Sequence, residues 1–166
     1  MAFEGTEQLL ARTQDFVNEH RALYLSSGGA MGHIVDFRHA GARGLLPSLL
    51  LGTTGRKSGR SFITPLIYGI YGDEWVVVAS KGGAPEHPAW YLNLTARPSA
   101  RMQVATQAFE VSWREPDGAE RDAVWAYMEH LYPPYADYQN ASEGRAIPIV
   151  MLSPTAEIAP FPRDAA

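Results

Sequence analysis

Three short stretches hold the residues whose types and spacing suit chemistry. Thr53-Thr-Gly-Arg-Lys-Ser-Gly-Arg60 sets the cations Arg56, Lys57 and Arg60 among hydroxyls and glycines. Backbone amides in such a turn form a nest for phosphate or carboxylate. Arginine adds two-pronged contacts and lysine a point charge, each charge-assisted bond worth roughly 1.5–3 kcal/mol. A solvated hairpin tip has the same composition, and residue types alone leave those readings level. Ala79-Ser-Lys-Gly-Gly-Ala-Pro-Glu-His-Pro-Ala-Trp-Tyr91 offers two glycines that let a flat ligand approach the backbone, with Trp90 and Tyr91 to wall it. The alternative there is a loop with two core aromatics. Tyr132, Tyr135 and Tyr138 recur every third residue and share one side of a helical turn. They suit an apolar pocket with phenolic proton donors, or a helix end with three core tyrosines.

The charge pattern favours a small anion. The 166-residue chain has a net charge of −4. Residues 37–72 nevertheless contain Arg38, Arg43, Arg56, Lys57 and Arg60 with no Asp or Glu, whereas residues 110–166 carry ten acids and four arginines. Such asymmetry marks a local anion site, and nucleic-acid binding would want a more basic domain. The absence of cysteine excludes disulfides, thiol nucleophiles and thiolate-held clusters. His20, His33, His39, His87 and His130 form no His-x-x-x-His pair, so no metal site is expected. Gly55-Arg-Lys-Ser-Gly lacks the lysine and glycine spacing of a Walker loop, and neither Gly-x-Gly-x-x-Gly nor Gly-x-Ser-x-Gly occurs. No secretory leader and no run of about 18 apolar residues is found, which sets a cytoplasmic expectation with no integral membrane segment. Loose membrane association through the first helix stays open.

The elements that must position these residues belong to one domain, 1–166. Thr6–Leu25 reads as an amphipathic helix presenting Leu9, Leu10, Phe16, Val17, Leu23 and Tyr24, stopped by Ser26-Ser-Gly-Gly29. Residues 28–44 read as a loop or crossover over one end of a sheet. Leu45–Thr54 and Ser61–Ile70 make a hairpin around the basic turn, and Glu74–Ser80 is a buried strand. Lys81–Pro85 reads as loop, and Pro88–Asn93 as a short helix. Ala100–Ala105 and Ala108–Trp113 form a hairpin around Thr106-Gln107. Asp117 and Glu120 suggest a capping box for a helix over Gly118–Leu131. Ala123, Val124, Tyr127, Met128 and Leu131 share its apolar face, the tyrosine stretch ends it, and Ile147–Leu152 is the last strand. Five to seven hairpin-joined strands with three helices predict α+β, built on an antiparallel sheet or small barrel.

These motifs, with Val76–Leu94, Tyr132–Gln139 and Ile147-Pro-Ile-Val150 in order, resemble the deazaflavin-dependent nitroreductase family. That family comprises split β-barrel oxidoreductases of actinobacteria that use coenzyme F-420. The resemblance spans about residues 45–153, the cofactor-binding core, with 1–44 as an N-terminal helix and loop. It implies that Arg56, Lys57 and Ser58, with Arg60 nearby, hold the cofactor's phosphate and oligoglutamate tail. Val78, Ala79, Ser80 and Lys81 line its deazaflavin ring, and Ala89, Trp90, Tyr91 and Asn93 close the other side. Tyr135 is the implied active-site acid, with Tyr132 and Tyr138 flanking a substrate pocket that Tyr68 also reaches. The implied reaction is hydride transfer to a small electron-poor acceptor: a quinone, an activated alkene (ene-reductase chemistry) or a nitro compound. An FMN-dependent split barrel and a non-enzymatic lipid or tetrapyrrole carrier are the competing readings. Val35–Arg43 matches no piece of the family pattern, and the oligomeric state is left open.

Overall fold

A computed structural model describes residues 6–165, with side chains from Gln14 onward. Along the chain run α1 (Thr6–Ser26), β1 (Ile34–Asp36), β2 (Leu45–Thr54), β3 (Ser61–Ile67), β4 (Gly69–Tyr71) and β5 (Glu74–Val78). Then follow α2 (Ala89–Thr95), β6 (Ser99–Val104), β7 (Gln107–Arg114), α3 (Gly118–Leu131), α4 (Pro134–Ala141) and β8 (Ile149–Ile158). All strand pairs are antiparallel, in the order β1-β2-β6-β7-β8-β5-β4, with β3 also pairing β2. The sheet curls without closing, which bears out the α+β, mostly antiparallel split-barrel expectation.

The strands read as continuous apolar runs because both faces are covered. In β2, Leu49 and Leu51 face an interior cluster with Val77, Met102, Val111, Val150 and Leu152, onto which α2 packs Trp90 and Leu94. Leu50, between them, faces outward to Tyr24 and Leu25 of α1, with Ile63 and Phe161. β5 alternates likewise: Val77 joins the interior, while Val76 and Val78 join Ile149, Met151, Val124, Met128, Tyr132 and Tyr135. Each such aliphatic side chain contributes roughly 1.5–3 kcal/mol on burial.

Several boundaries differ from the sequence reading. Residues 28–44 contain a strand, β1, that pairs Ile34–Asp36 with Leu45–Pro47. The expected strand to Ile70 breaks at Tyr68, whose N–H donates to Pro47 O at 3.2 Å. Gly69 then has no room for a Cβ, which would lie 2.8 Å from Met128 Sδ, and the chain turns from pairing β2 to pairing β5. β5 stops at Val78, and Lys81–Gly83 forms a 3-10 turn inside the expected loop. The β6–β7 turn is Ala105-Thr106, with Ala105 at φ 52°. Asp117 occupies the N-cap of α3 but makes no side-chain cap bond, and the Glu120 carboxylate that would complete the capping box is drawn to Arg114 at 2.6 Å.

A fourth α-helix appears where an end to helix was expected. Pro133 and Pro134 start α4, since a first turn needs no N–H from proline. β8 runs on to Ile158, pairing with β7 across a register shift at Glu110/Val111. Ala123 is exposed, as are Phe16 and Leu23 in part, so the buried faces of α1 and α3 are narrower than their periodicity suggests. The side chains of Leu9 and Leu10 lie outside the described residues. No helix among the described residues is long and apolar enough to cross a membrane.

Candidate active site

The basic stretch is the β2–β3 turn, closed by Gly55 N–H to Arg60 O at 2.7 Å and Gly59 N–H to Gly55 O at 2.9 Å. Buried Asn93 of α2 fixes it: its Oδ1 accepts Arg56 N–H at 3.1 Å and Arg56 Nη1 at 2.9 Å. Between turn and helix lies a cleft of about 260 Å³ lined by Gly55, Arg56, Lys57, Ser58, Ala89 and Trp90, among others. Arg60 is not part of that lining; its guanidinium sits 5.9 Å from the Phe62 ring. Among the described residues Arg56, Lys57 and Arg60 meet no carboxylate, so three positive charges stand unneutralised beside the cleft.

Val78 ends β5 and Ala79 follows it, both buried, before half-buried Ser80. Lys81 adopts φ 47° and Gly82 φ 63°, left-handed backbone that ordinary side chains avoid. Lys81 Nζ bonds Glu86 at 2.7 Å. Trp90 is buried, Ala89 is exposed, and the Tyr91 ring packs 4.8 Å from His87. The Tyr91 hydroxyl donates to Glu115 at 2.7 Å; burial and that carboxylate push its pKa up to about 12.

The tyrosines converge as their spacing implies. Tyr132 and Tyr135 pack edge-to-face at 4.9 Å between ring centroids, and Tyr138 closes the triangle at 6.2 and 6.3 Å. The Tyr132 and Tyr138 hydroxyls hydrogen-bond to each other at 3.2 Å. Among the described residues Tyr135 has no hydrogen-bond partner for its hydroxyl, and burial first, then its two neighbours, raise its pKa well above the ordinary range. Phe37 meets Tyr132 at 6.3 Å, which brings the 35–43 segment against the cluster. Gly83 couples the cluster to the Ser80 loop: a Cβ there would lie 2.7 Å from Tyr138 O.

Tyr68 is not brought together with the other three. It lies on the interior side of β5 with Val77, Ala79 and Trp90, and its hydroxyl bonds His33 Nε2 at 2.7 Å. Conversely, Arg145 joins the site without any sequence motif to announce it. Its guanidinium donates to Ala79 O at 3.1 Å, Ser80 O at 2.8 Å and Ala84 O at 3.0 Å, and His87 Nδ1 accepts at 3.1 Å.

This donor set suits a flat, anion-tailed cofactor. The unpaired cations match a phosphate and carboxylate tail. The amides of Ser80 and Lys81 have no internal acceptor among the described residues and match a ring edge bearing carbonyls.

Comparison with known proteins agrees. The "F420H(2)-dependent quinone reductase" family matches residues 17–154. An F420H(2)-dependent quinone reductase of Mycobacterium tuberculosis (strain H37Rv) is 36% identical over 137 residues, covering 81% of this chain and 87% of that protein. A solved F420-H2 dependent reductase is 38% identical at TM-score 0.58, over 64% of this chain and 94% of its own. Another solved structure, described as a domain-swapped dimer, is 34% identical at TM-score 0.61, over 85% of this chain and 99% of its own. The chain thus belongs to the F420H(2)-dependent quinone reductase family and is an oxidoreductase whose cofactor is coenzyme F-420.

Proposed function

We propose that this protein transfers a hydride from reduced coenzyme F-420 to a small electron-poor acceptor in the cytoplasm. A quinone is the foremost candidate, ahead of activated alkenes and nitro compounds. The observation that carries the reading is the convergence of an acid-free cationic cleft and a free, protonated Tyr135 on the two flanks of one loop, Ser80–Tyr91. When bound, the reduced deazaflavin supplies a hydride from its ring carbon, and the protein supplies orientation and charge stabilisation.

Arg56, Lys57 and Ser58 hold the cofactor's phosphate and tail, with Arg60 adding charge at longer range. The backbone from Val78 to Lys81 receives the ring, Trp90 and Asn93 secure the opposite wall, and Ala89 and Tyr91 complete it. As hydride reaches the acceptor, negative charge grows on its oxygen. The Tyr135 hydroxyl donates a hydrogen bond, then its proton, to that oxygen. Tyr132 and Tyr138 wall the acceptor; their mutual hydrogen bond engages both hydroxyl oxygens and one of the two protons, whereas the Tyr135 hydroxyl is bonded to neither.

The test is tryptophan-fluorescence titration with coenzyme F-420 and, in parallel, FMN, followed by mixing with reduced cofactor and a soluble naphthoquinone. Salt-sensitive preference for F-420, with oxidation of the reduced cofactor by the quinone, is the expected result. Binding of FMN alone moves the chain to the flavin branch. Tight ligand binding without hydride transfer to any acceptor favours a carrier.

A further inference from the structure

Resting on that functional reading, we propose that Arg145 is a positioning residue for hydride transfer. Its guanidinium turns two consecutive peptides of the Ser80 loop so that the N–H groups of Ser80 and Lys81 are presented to the deazaflavin ring.

The argument starts from peptide geometry. Among the described residues no peptide is cis, and in a trans peptide the C=O and N–H point in opposite directions. Arg145 draws the carbonyls of Ala79 and Ser80 to itself. The N–H groups sharing those peptides, on Ser80 and Lys81, are thereby turned away from it. Neither finds an internal acceptor among the described residues. The third carbonyl Arg145 holds, Ala84 O, belongs to the peptide with Pro85, which has no N–H to present. The turn shares in this, Gly83 N–H donating to Ser80 O at 2.9 Å, but nothing within the loop holds Ala79 O, and Lys81 is left-handed, where a lysine is strained.

Arg145 is itself clamped to the helix that carries Tyr135. Its backbone O accepts Gln139 Nε2 and Ser142 Oγ, both at 2.7 Å. Gln139 lies on α4 four residues after Tyr135, on the same helical side. One side chain therefore spans from the acid's helix to the ring-binding loop, fixing the proton donor relative to the hydride donor's seat. Among the described residues no carboxylate competes for the guanidinium. A lysine keeps the charge but presents one nitrogen where a planar fork reaches three carbonyls and an imidazole.

The experiment uses the full chain with coenzyme F-420. In Arg145→Lys, single-turnover oxidation of saturating reduced cofactor by a naphthoquinone is expected to slow by about a hundredfold, as expected of a small misplacement of reacting groups. Cofactor affinity, dominated by the tail, should fall by less than about tenfold, and its salt dependence should stay that of the wild type. A folded variant that binds the cofactor and reacts at the wild-type rate overturns the proposal. On the wild-type protein, the Ser80 and Lys81 amide resonances should be among those most shifted by the cofactor, a measurement independent of whether any variant folds. Unshifted amides in protein that has bound the cofactor overturn it equally. Failure of the wild type to bind coenzyme F-420 overturns the functional reading first, and this proposal with it.

Discussion

Tyr135 combines burial with an uncommitted hydroxyl, and the two together set its chemistry. A phenol held above its ordinary pKa keeps its proton through neutral and alkaline pH, as a general acid must. Tyr135→Phe should therefore lower single-turnover hydride transfer to a quinone by about a hundredfold or more while leaving cofactor affinity close to wild type. Unchanged turnover would remove Tyr135 from the mechanism. The role proposed for Lys57, which lines the cleft, is one of charge instead. Lys57→Ala should weaken coenzyme F-420 binding most at low salt, with the difference shrinking as ionic strength rises; isothermal titration at several salt concentrations measures it. Tyr24 and Tyr132 share the upward shift with Tyr135. The folded state keeps these protons at pH values where the unfolded chain has released them. The stability they confer is full below the unfolded pKa of about 10 and is lost as pH rises above it. Urea midpoints should accordingly be level near neutrality and fall in strongly alkaline buffer.

At the scale of elements, the contact between α4 and the Lys81–Gly83 turn joins the proposed acid to the loop proposed to seat the ring. Gly83 has φ 85° and no space for a Cβ, whereas neighbouring Gly82, at φ 63°, has open space. Gly82→Ala should cost about 1–2 kcal/mol, the backbone preference alone. Gly83→Ala should cost more and also slow hydride transfer, since Tyr138 and the loop must separate; equal costs for the two in urea unfolding would deny the contact that importance. The same elements show what the sequence could convey. β2 and α3 were legible to the residue because a leucine-rich run closed by a glycine-rich turn and a 3.6 period each have one reading. The helix after Leu131 was not, because Pro-Pro marks a start as readily as a stop. Of the candidate site, the basic turn, the Ser80 loop and the tyrosine triplet were legible as local motifs. Arg145 was not, because its partners lie some sixty residues away and its neighbours Gly144 and Ala146 carry no pattern. Tyr68 lies on the other face of β5 for a related reason: the break at Gly69 that decides its direction is a packing effect.

Across the whole molecule, β5 is the element on which the site is mounted. Both its faces are buried, and its neighbours are β4 and β8. Leu152 of β8 pairs with Trp75 and fills the interior cluster, so Leu152→Ala should destabilise the protein by about 2–5 kcal/mol. Chemical denaturation followed by both tryptophan fluorescence and circular dichroism should show one shared transition at a lower midpoint; a midpoint equal to wild type would contradict that packing. The order of the strands has a consequence for biosynthesis. The loop proposed to seat the ring follows β5 at Val78, yet it is fastened by Arg145 and flanked by β8, which begins only at Ile149. A nascent polypeptide stalled on the ribosome before β8 has emerged already contains every cationic residue of the cleft but has no framed seat for the ring. Cofactor capture should then begin only once β8 has emerged, and shorter nascent chains should wait in a form that quality-control proteases can still recognise.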